Sequence, residues 1–255
     1  MALTFDDGPS PKVTPGLIRT LRAKKVPATF FMVGSRVKAA PGVARAVERA
    51  GFLVANHSYA HQSMTTQSTA QIVGTIRATD AALRGAGTHP LSLVRPPYGA
   101  VDGAVRAAAR RTSHPIVLWD VDPRDWDGRS SDQIASSVLA QLRPGRRNIV
   151  LLHDGVANSP RTVAAVPRII NAARGRGFCF VGLNGKGKPG FPTPTARLVV
   201  GKQGLKVPEG RDLKATVRLS APAGRATTVQ ISLARGTASL RRDVGRFART
   251  VRVPA

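Results

Sequence analysis

Residues 1–33 read MALTFDDGPSPKVTPGLIRTLRAKKVPATFFMV, and this stretch decides the fold class. Ala2–Phe5 is a short apolar strand that runs into two acids, Asp6-Asp7. Ser10-Pro11 offers an N-cap followed by proline at the first helical position, and Val13, Leu17 and Leu21 then recur at helical spacing. Ala28–Val33 is a second strand. Strands with no polar alternation are buried on both faces, and strands that alternate with helices build a parallel sheet covered by helices.

The same alternation continues outward. Strands are predicted at Phe52–Ala55, Leu91–Val94, Ile116–Trp119, Ile149–Leu152 and Phe178–Val181, with helices over Pro41–Ala50, within Thr69–Leu83, near Asp102–Arg110, and over Ser131–Leu142 and Thr162–Arg174. About seven such units fit a distorted or incomplete (β/α) barrel, with an open doubly wound sheet as the alternative. The periodicity then stops. Residues 1–183 form the expected α/β domain and residues 184–195, with Gly and Pro, a linker. Residues 196–255 read as a small β-sandwich-like module, with strands at Ala196–Val200, Lys214–Leu219, Thr227–Leu233 and Arg249–Val253.

Composition excludes several classes. A chain of 255 residues, 42% apolar, is neither a disordered tail nor a disulfide-framed miniprotein, and its single cysteine, Cys179, rules out an intrachain disulfide. Apolar runs reach about seven residues at most, far below the ~18 that cross a bilayer, and no signal peptide is read at the start. Lys and Arg number 39 against 14 Asp and Glu, a net charge of +25, of which the last 65 residues carry +10 (13 basic, 3 acidic). This basic coat is scattered and only 5% of residues are aromatic, so no specific nucleic-acid partner is expected.

Polar residues concentrate where the strands end. There lie Asp6-Asp7, then Asn56-His57-Ser58-Tyr59-Ala60-His61, Arg95-Pro96-Pro97-Tyr98, Asp120-Val121-Asp122-Pro123-Arg124-Asp125-Trp126, and His153-Asp154. In a barrel of this kind, catalytic groups sit at those ends. Each piece alone has a plainer reading: adjacent aspartates cap helices, Pro-Pro makes rigid turns, Trp126 fills a core, and a lone His153 is more often a satisfied buried histidine. His57 and His61, four apart, can share one metal. His89 and His114 precede prolines in loops and are assigned no role.

Taken together, these residues resemble the polysaccharide deacetylase family (NodB-homology, family four of the carbohydrate esterases). Five motifs stand in the family's order: Thr4-Phe-Asp-Asp-Gly-Pro9, His57-Ser-Tyr-Ala-His61, Arg95-Pro-Pro-Tyr98, Asp122-Pro-Arg-Asp125-Trp126 and Leu151-Leu-His153. The resemblance covers about residues 2–183; the chain opens directly in strand one, without the segment family members usually carry ahead of it. It implies a divalent metal held by Asp7, His57 and His61, most often Zn2+, with Co2+, Mn2+ or Ni2+ as substitutes. It implies Asp6 as catalytic base, held by Arg95, and His153 as general acid, oriented by Asp125. The backbone N–H of Tyr98 would face the oxyanion, and Tyr98 and Trp126 would wall a sugar groove. Asn56, Asp122 and Asp154 are expected to be structural.

The implied activity is removal of acetyl groups from a polysaccharide containing N-acetylglucosamine, of the peptidoglycan or chitin type, in an extracellular or cell-wall setting. An acetylxylan-type O-deacetylase with the same site and a non-catalytic polysaccharide-binding protein are the alternatives. In the tail, Leu219–Gly224, Thr227–Leu233 and Gly236–Ala238 are similar to the Calx-beta type of β-sandwich, but acidic residues are nearly absent there, so no calcium is expected.

Overall fold

The computed structural model describes residues 1–190 and, beyond them, the backbone of four strands: Ala196–Val199, Thr216–Leu219, Thr227–Ile231 and Arg249–Val253. The chain divides into two compact units, Met1–Pro192 and Thr193–Ala255. The first is an α/β fold around a parallel sheet. Its strands are β1 (Ala2–Asp6), β2 (Ala28–Met32), β3 (Leu53–Asn56) and β4 (Ile149–His153), in the order β3-β2-β1-β4. The helices are α1 (Thr14–Ala23), α2 (Gly34–Ala39), α3 (Pro41–Arg49), α4 (Thr69–Gly85), α5 (Gly103–Arg111), α6 (Ser131–Gln141) and α7 (Ser159–Gly175).

All five residues of β1 are buried, as its unbroken apolar run requires. The period of two divides them. Leu3 and Phe5 join the larger core with Phe30, Val54, Leu152 and the helical residues Leu17, Leu21, Val138 and Ile169. Ala2 points the other way, into a smaller cluster with Phe31, Ala55, Val117 and Leu183. Thr4 and Asp6 therefore share the side of that smaller cluster, where Arg95 lies.

Four of the seven expected strands are strands. Two others shrink to single parallel bridges, Asn56 to Val94 and Val94 to Ile116, and a further bridge joins Val121 to Val150. Proline explains the shortening: Pro90, Pro96 and Pro97 bracket Leu91–Val94, and Pro115 precedes Ile116, each removing a ladder donor. Phe178–Val181 is not a strand; it is tied to the N-terminus by Val181 N–H donating to the Met1 carbonyl at 3.0 Å and the Met1 ammonium donating to the Cys179 carbonyl at 2.7 Å.

The first helix also starts later than expected. Ser10 does not cap it: the Ser10 carbonyl closes a turn onto Val13 and Thr14 N–H, and α1 begins at Thr14 with proline in its first turn. α2 was not expected, since a six-residue helix opening on glycine carries no cap signal. Residues 184–190, read as linker, fold back on the first unit through the Leu183–Pro189 bridge and Gly190 N–H to the Gly182 carbonyl. Beyond them, Ala196–Val199 pairs antiparallel with Thr216–Leu219, and Thr227–Ile231 with Arg249–Val253. The four expected tail strands are thus present, while most of the Calx-beta-like stretch falls outside the described residues.

Two glycines let the loops after β1 and β4 close on each other. A Cβ on Gly8 would stand 2.5 Å from Asp154 Oδ1, and one on Gly155 would overlap the Asp7 carbonyl. Backbone yields less readily than a flexible side chain. Gly155→Ala should therefore lower stability by about 1–3 kcal/mol; an unchanged denaturation midpoint would contradict this packing.

Candidate active site

Strand register assembles the polar residues. Asp6 pairs in register with His153 on one side and Phe31 on the other, and Asn56 stands opposite Met32. The C-terminal end of the sheet thus carries Asp6, Asn56 and His153, with Asp7 and His57 one residue beyond.

Arg95 fills the space behind Asp6 and is fully buried. Its Nη1 donates to Asp6 Oδ1 at 2.7 Å and to Thr4 Oγ1 at 2.8 Å, and its Nε donates to the Val117 carbonyl at 3.2 Å. Thr4 Oγ1 passes its own hydrogen to the Val150 carbonyl at 2.6 Å. The guanidinium sits 4.2 Å from the centroid of the Phe31 ring. Burial lowers the Arg95 pKa, and the charge and hydrogen bond of Asp6 oppose that; a guanidinium stays charged in any case.

Asp7, His57 and His61 converge on one point, with ligand atoms all within 4.8 Å of one another. His57 Nε2 and His61 Nε2 lie 3.2 and 3.0 Å from Asp7 Oδ1. His57 Nδ1 is 2.7 Å from the Arg95 carbonyl, which can only accept, so Nδ1 carries the hydrogen and the Nε2 lone pair faces Asp7. Asp7 Oδ1 is buried and has no well-angled donor. A carboxylate oxygen and an imidazole lone pair face to face repel unless a cation stands between them. The donor set fits a divalent metal. Burial would raise the Asp7 pKa; without a metal, hydrogen bonding and positive charge from His57 and His61 would stand in for that cation, override burial and hold the carboxyl well below the usual range.

The loops here are backbone-strained. Asp7, Ser58, His61, Tyr98 and Arg124 have φ values of 70°, 64°, 55°, 61° and 53°, in the left-handed region that L-residues avoid. Each costs on the order of 1–3 kcal/mol, which the surrounding bonds must offset. Arg36 supplies one such bond, donating from Nη1 to the Asp7 carbonyl at 2.7 Å and bridging to the Gly155 carbonyl.

On the other side of Asp6 stands His153. Its Nδ1 lies 2.7 Å from Asp125 Oδ1, and its backbone N–H donates to Asp125 Oδ2 at 2.8 Å. Thr162 Oγ1 donates to the same Oδ2 at 2.7 Å, and Asn158 Nδ2 to the Asp125 carbonyl at 2.6 Å. Burial works to lower the imidazole pKa. The Asp125 hydrogen bond and charge, with Asp6 and Asp7 adding, raise it to about 9.

Two aromatics flank the centre in the open. Tyr98 is 70% exposed, its ring edge-on to His61 at 4.9 Å; Trp126 is 48% exposed, beneath the Arg124 guanidinium at 5.3 Å. Trp126 borders a shallow depression with Asn158, Pro160 and Arg161.

The three motif neighbours have inward partners. Asn56 Oδ1 accepts from Ser58 N–H at 3.0 Å, and Asp122 Oδ1 from Arg124 N–H at 2.8 Å. Asp154, fully buried, accepts from Thr14 Oγ1. Burial pushes its carboxyl up; the Thr14 bond opposes that, and the charges of Asp7 and Asp6 carry it to about 7. Arg36, Asn158 and Thr162 were not singled out from the sequence, because a basic residue, an asparagine or a threonine at a helix start looks like a cap or a solvated face; Thr4 stood in the first motif but was given no role.

A family model for polysaccharide deacetylase matches residues 1–117. A chitooligosaccharide deacetylase of Bradyrhizobium is 38% identical over 188 residues, covering 69% of this chain and 85% of that protein. The chain belongs to the polysaccharide deacetylase family. A peptidoglycan-N-acetylglucosamine deacetylase of Listeria monocytogenes is also 38% identical, over 71% of this chain, though the match spans only 37% of that longer protein. A family 4 carbohydrate esterase from Streptomyces lividans, solved with acetate, superposes on this deacetylase chain with a TM-score of 0.69 at 37% identity, covering 75% of this chain and 97% of that one.

The His153–Asp125 pair gives a checkable titration. In the metal-free protein the His153 imidazolium should persist until pH about 9 when followed by NMR. Asp125→Asn should move that titration toward lower pH, because the raising charge is gone. The sign for stability follows: a group raised from 6.5 contributes fully below that value and loses its contribution as pH passes about 9. A titration unmoved by Asp125→Asn would contradict the pairing.

Proposed function

We propose that this chain is a metal-dependent deacetylase that removes the acetyl group from N-acetylglucosamine units of a peptidoglycan- or chitin-type polysaccharide. The observation that carries the reading is the placement of Asp6 between two dissimilar centres: the Asp7–His57–His61 cluster, with an orphaned buried oxygen, and the His153–Asp125 pair. The ligand set and the acid are both present, which disfavours a binding-only protein. The bridges that run from β3 through Val94 and Ile116, and from Val121 to β4, support a distorted barrel.

Asp7, His57 and His61 would hold the metal, and one carboxylate with two imidazoles suits Zn2+, with Co2+, Mn2+ or Ni2+ able to take the same donors. When bound, the cation would acidify a water and polarise the acetyl carbonyl. Arg95 engages Asp6 Oδ1 and leaves Oδ2, 3.7 Å from His57 Nε2, to take the proton of the attacking water. The backbone N–H of Tyr98 would face the oxygen on which charge develops. As the carbon–nitrogen bond breaks, the amine takes a proton from His153 Nε2, and acetate departs. An amine leaves poorly without that proton, and the raised His153 pKa keeps the proton available at neutral pH. Tyr98 and Trp126 would bracket the sugar chain.

The catalytic domain is taken as residues 1–183, with 184–195 joining it to the 196–255 module. That module carries +10 of the net charge and would hold the enzyme on an anionic polymer of a bacterial cell wall. No helix among the described residues is long and apolar enough to cross a membrane.

An acetate-release panel tests this reading: with Zn2+ supplied, the full chain should act on chitin oligomers and peptidoglycan more than on acetylxylan. Asp6→Asn should retain metal yet lose about 10²–10⁴-fold in turnover. His153→Ala should cost more on the N-acetyl substrate than on an activated aryl acetate, and equal losses would argue against its role as acid. Deleting residues 191–255 should spare turnover on a short neutral oligomer and weaken wall binding, which in the full chain should fall with added salt. Unchanged wall binding by a folded truncate would sink the tethering idea.

A further inference from the structure

A second polar cluster lies behind the metal-ligand loop, in residues the mechanism does not use. Asn56 is fully buried at the end of β3, immediately before His57. Its Nδ2 donates to the Ile76 carbonyl and to Asp80 Oδ1, each at 2.9 Å, and its Oδ1 accepts from Ser58 N–H at 3.0 Å. Ser58 in turn accepts the His61 N–H on its Oγ at 3.0 Å. Both ligating histidines are thus set by one turn, and two of its residues, Ser58 and His61, sit in the left-handed region.

Asp80, on α4, is itself buried and held from the far side. His114 Nε2 lies 3.2 Å from Asp80 Oδ2, and Arg84 reaches the same oxygen at 3.8 Å. His114 is also buried, with Nδ1 2.7 Å from the Thr112 carbonyl. That carbonyl accepts the Nδ1 hydrogen, while Nε2 faces Asp80 Oδ2 without the angle of a hydrogen bond, so His114 holds Asp80 by close approach of charge. The run from His114 through Asp80 and Asn56 to Ser58 ends on the turn that aims His57 and His61. A carboxylate buried here for packing alone would be costly, whereas one that fixes the side chain bonded to Ser58 N–H has a purpose.

We propose that Asp80, anchored by His114, is a positioning residue that fixes Asn56 and thereby sets the metal affinity of the Asp7–His57–His61 site. The proposal rests on the metal site of the preceding section. Loss of Asp80 frees the Asn56 amide, loosens the Ser58–His61 turn and lets the two imidazoles depart from their shared point. Partners at one remove from metal ligands typically alter affinity by about 10–100-fold.

The test is the Zn2+ dissociation constant of the full chain, measured by competition with a chromophoric chelator at a temperature where the metal-free protein is folded. Asp80→Leu, which keeps volume but cannot accept from Asn56, should bind Zn2+ about 10–100-fold more weakly. Asp80→Asn should restore affinity, because its oxygen accepts from Asn56 and its amide donates to a neutral His114. A folded Asp80→Leu protein with unchanged affinity overturns the proposal, as does an Asp80→Asn protein as weak as Asp80→Leu. If Asp80→Leu does not fold, Asp80→Ser, too short to reach Asn56, is measured with the same expected results. Failure of both to fold even with Zn2+ present assigns the cluster to the fold alone and overturns the proposal. A wild-type chain that binds no Zn2+ refutes the metal site itself, an outcome distinct from these.

Discussion

The ion pair between Arg95 and Asp6 is the constraint on which the site depends. A guanidinium with no solvent exposure is tolerable only if its donors are occupied, and Asp6, Thr4 and the carbonyls of Val117 and Leu118 accept from them. Removing one partner of such a pair costs about 3–5 kcal/mol, because the other charge is left buried and alone. The pair joins β1 to the segments around 95 and 117, which lack long ladders of their own. The Arg95 carbonyl also takes the His57 Nδ1 hydrogen, so one residue orients Asp6 through its side chain and His57 through its backbone.

Around that pair the site is built by opposition. Burial, with the charges of Asp7 and Asp6 adding, drives Asp154 up to about 7, while contact with its imidazoles overrides burial and holds Asp7 low. His153 is driven up by Asp125. Neighbouring titratable groups are thus pushed in opposite directions by their surroundings. The cost appears in the backbone, where five residues of the motif loops take left-handed conformations. Bonds from Arg36 to the Asp7 carbonyl and from Asn56 and Ser58 across the histidine turn hold them there.

Much of this was legible in the sequence. Wholly apolar runs such as Ala2–Phe5 identify strands buried on both faces, and polar residues placed just past them identify one end of one sheet. The parallel register then brings Asp6 and His153 together although they lie 147 positions apart. What was not legible depends on reach and angle. Leu91–Val94 reads as a strand by composition, yet the flanking prolines reduce it to bridges. His114 and Asp80 give no local pattern, since their contact exists only once α4 packs against α5. Arg36 looks like any basic helix residue until the Asp7 peptide is seen beneath it.

Deacetylation by this fold, as proposed, depends on one divalent cation held by Asp7, His57 and His61. The most direct measurement is anomalous diffraction from crystals grown with Zn2+, paired with acetate release by the same preparation before and after chelation. Expected are one strong anomalous peak bonded to Asp7, His57 and His61, and activity that disappears on chelation and returns with metal. A cation bound elsewhere, or full acetate release from the chelated protein, would contradict that dependence.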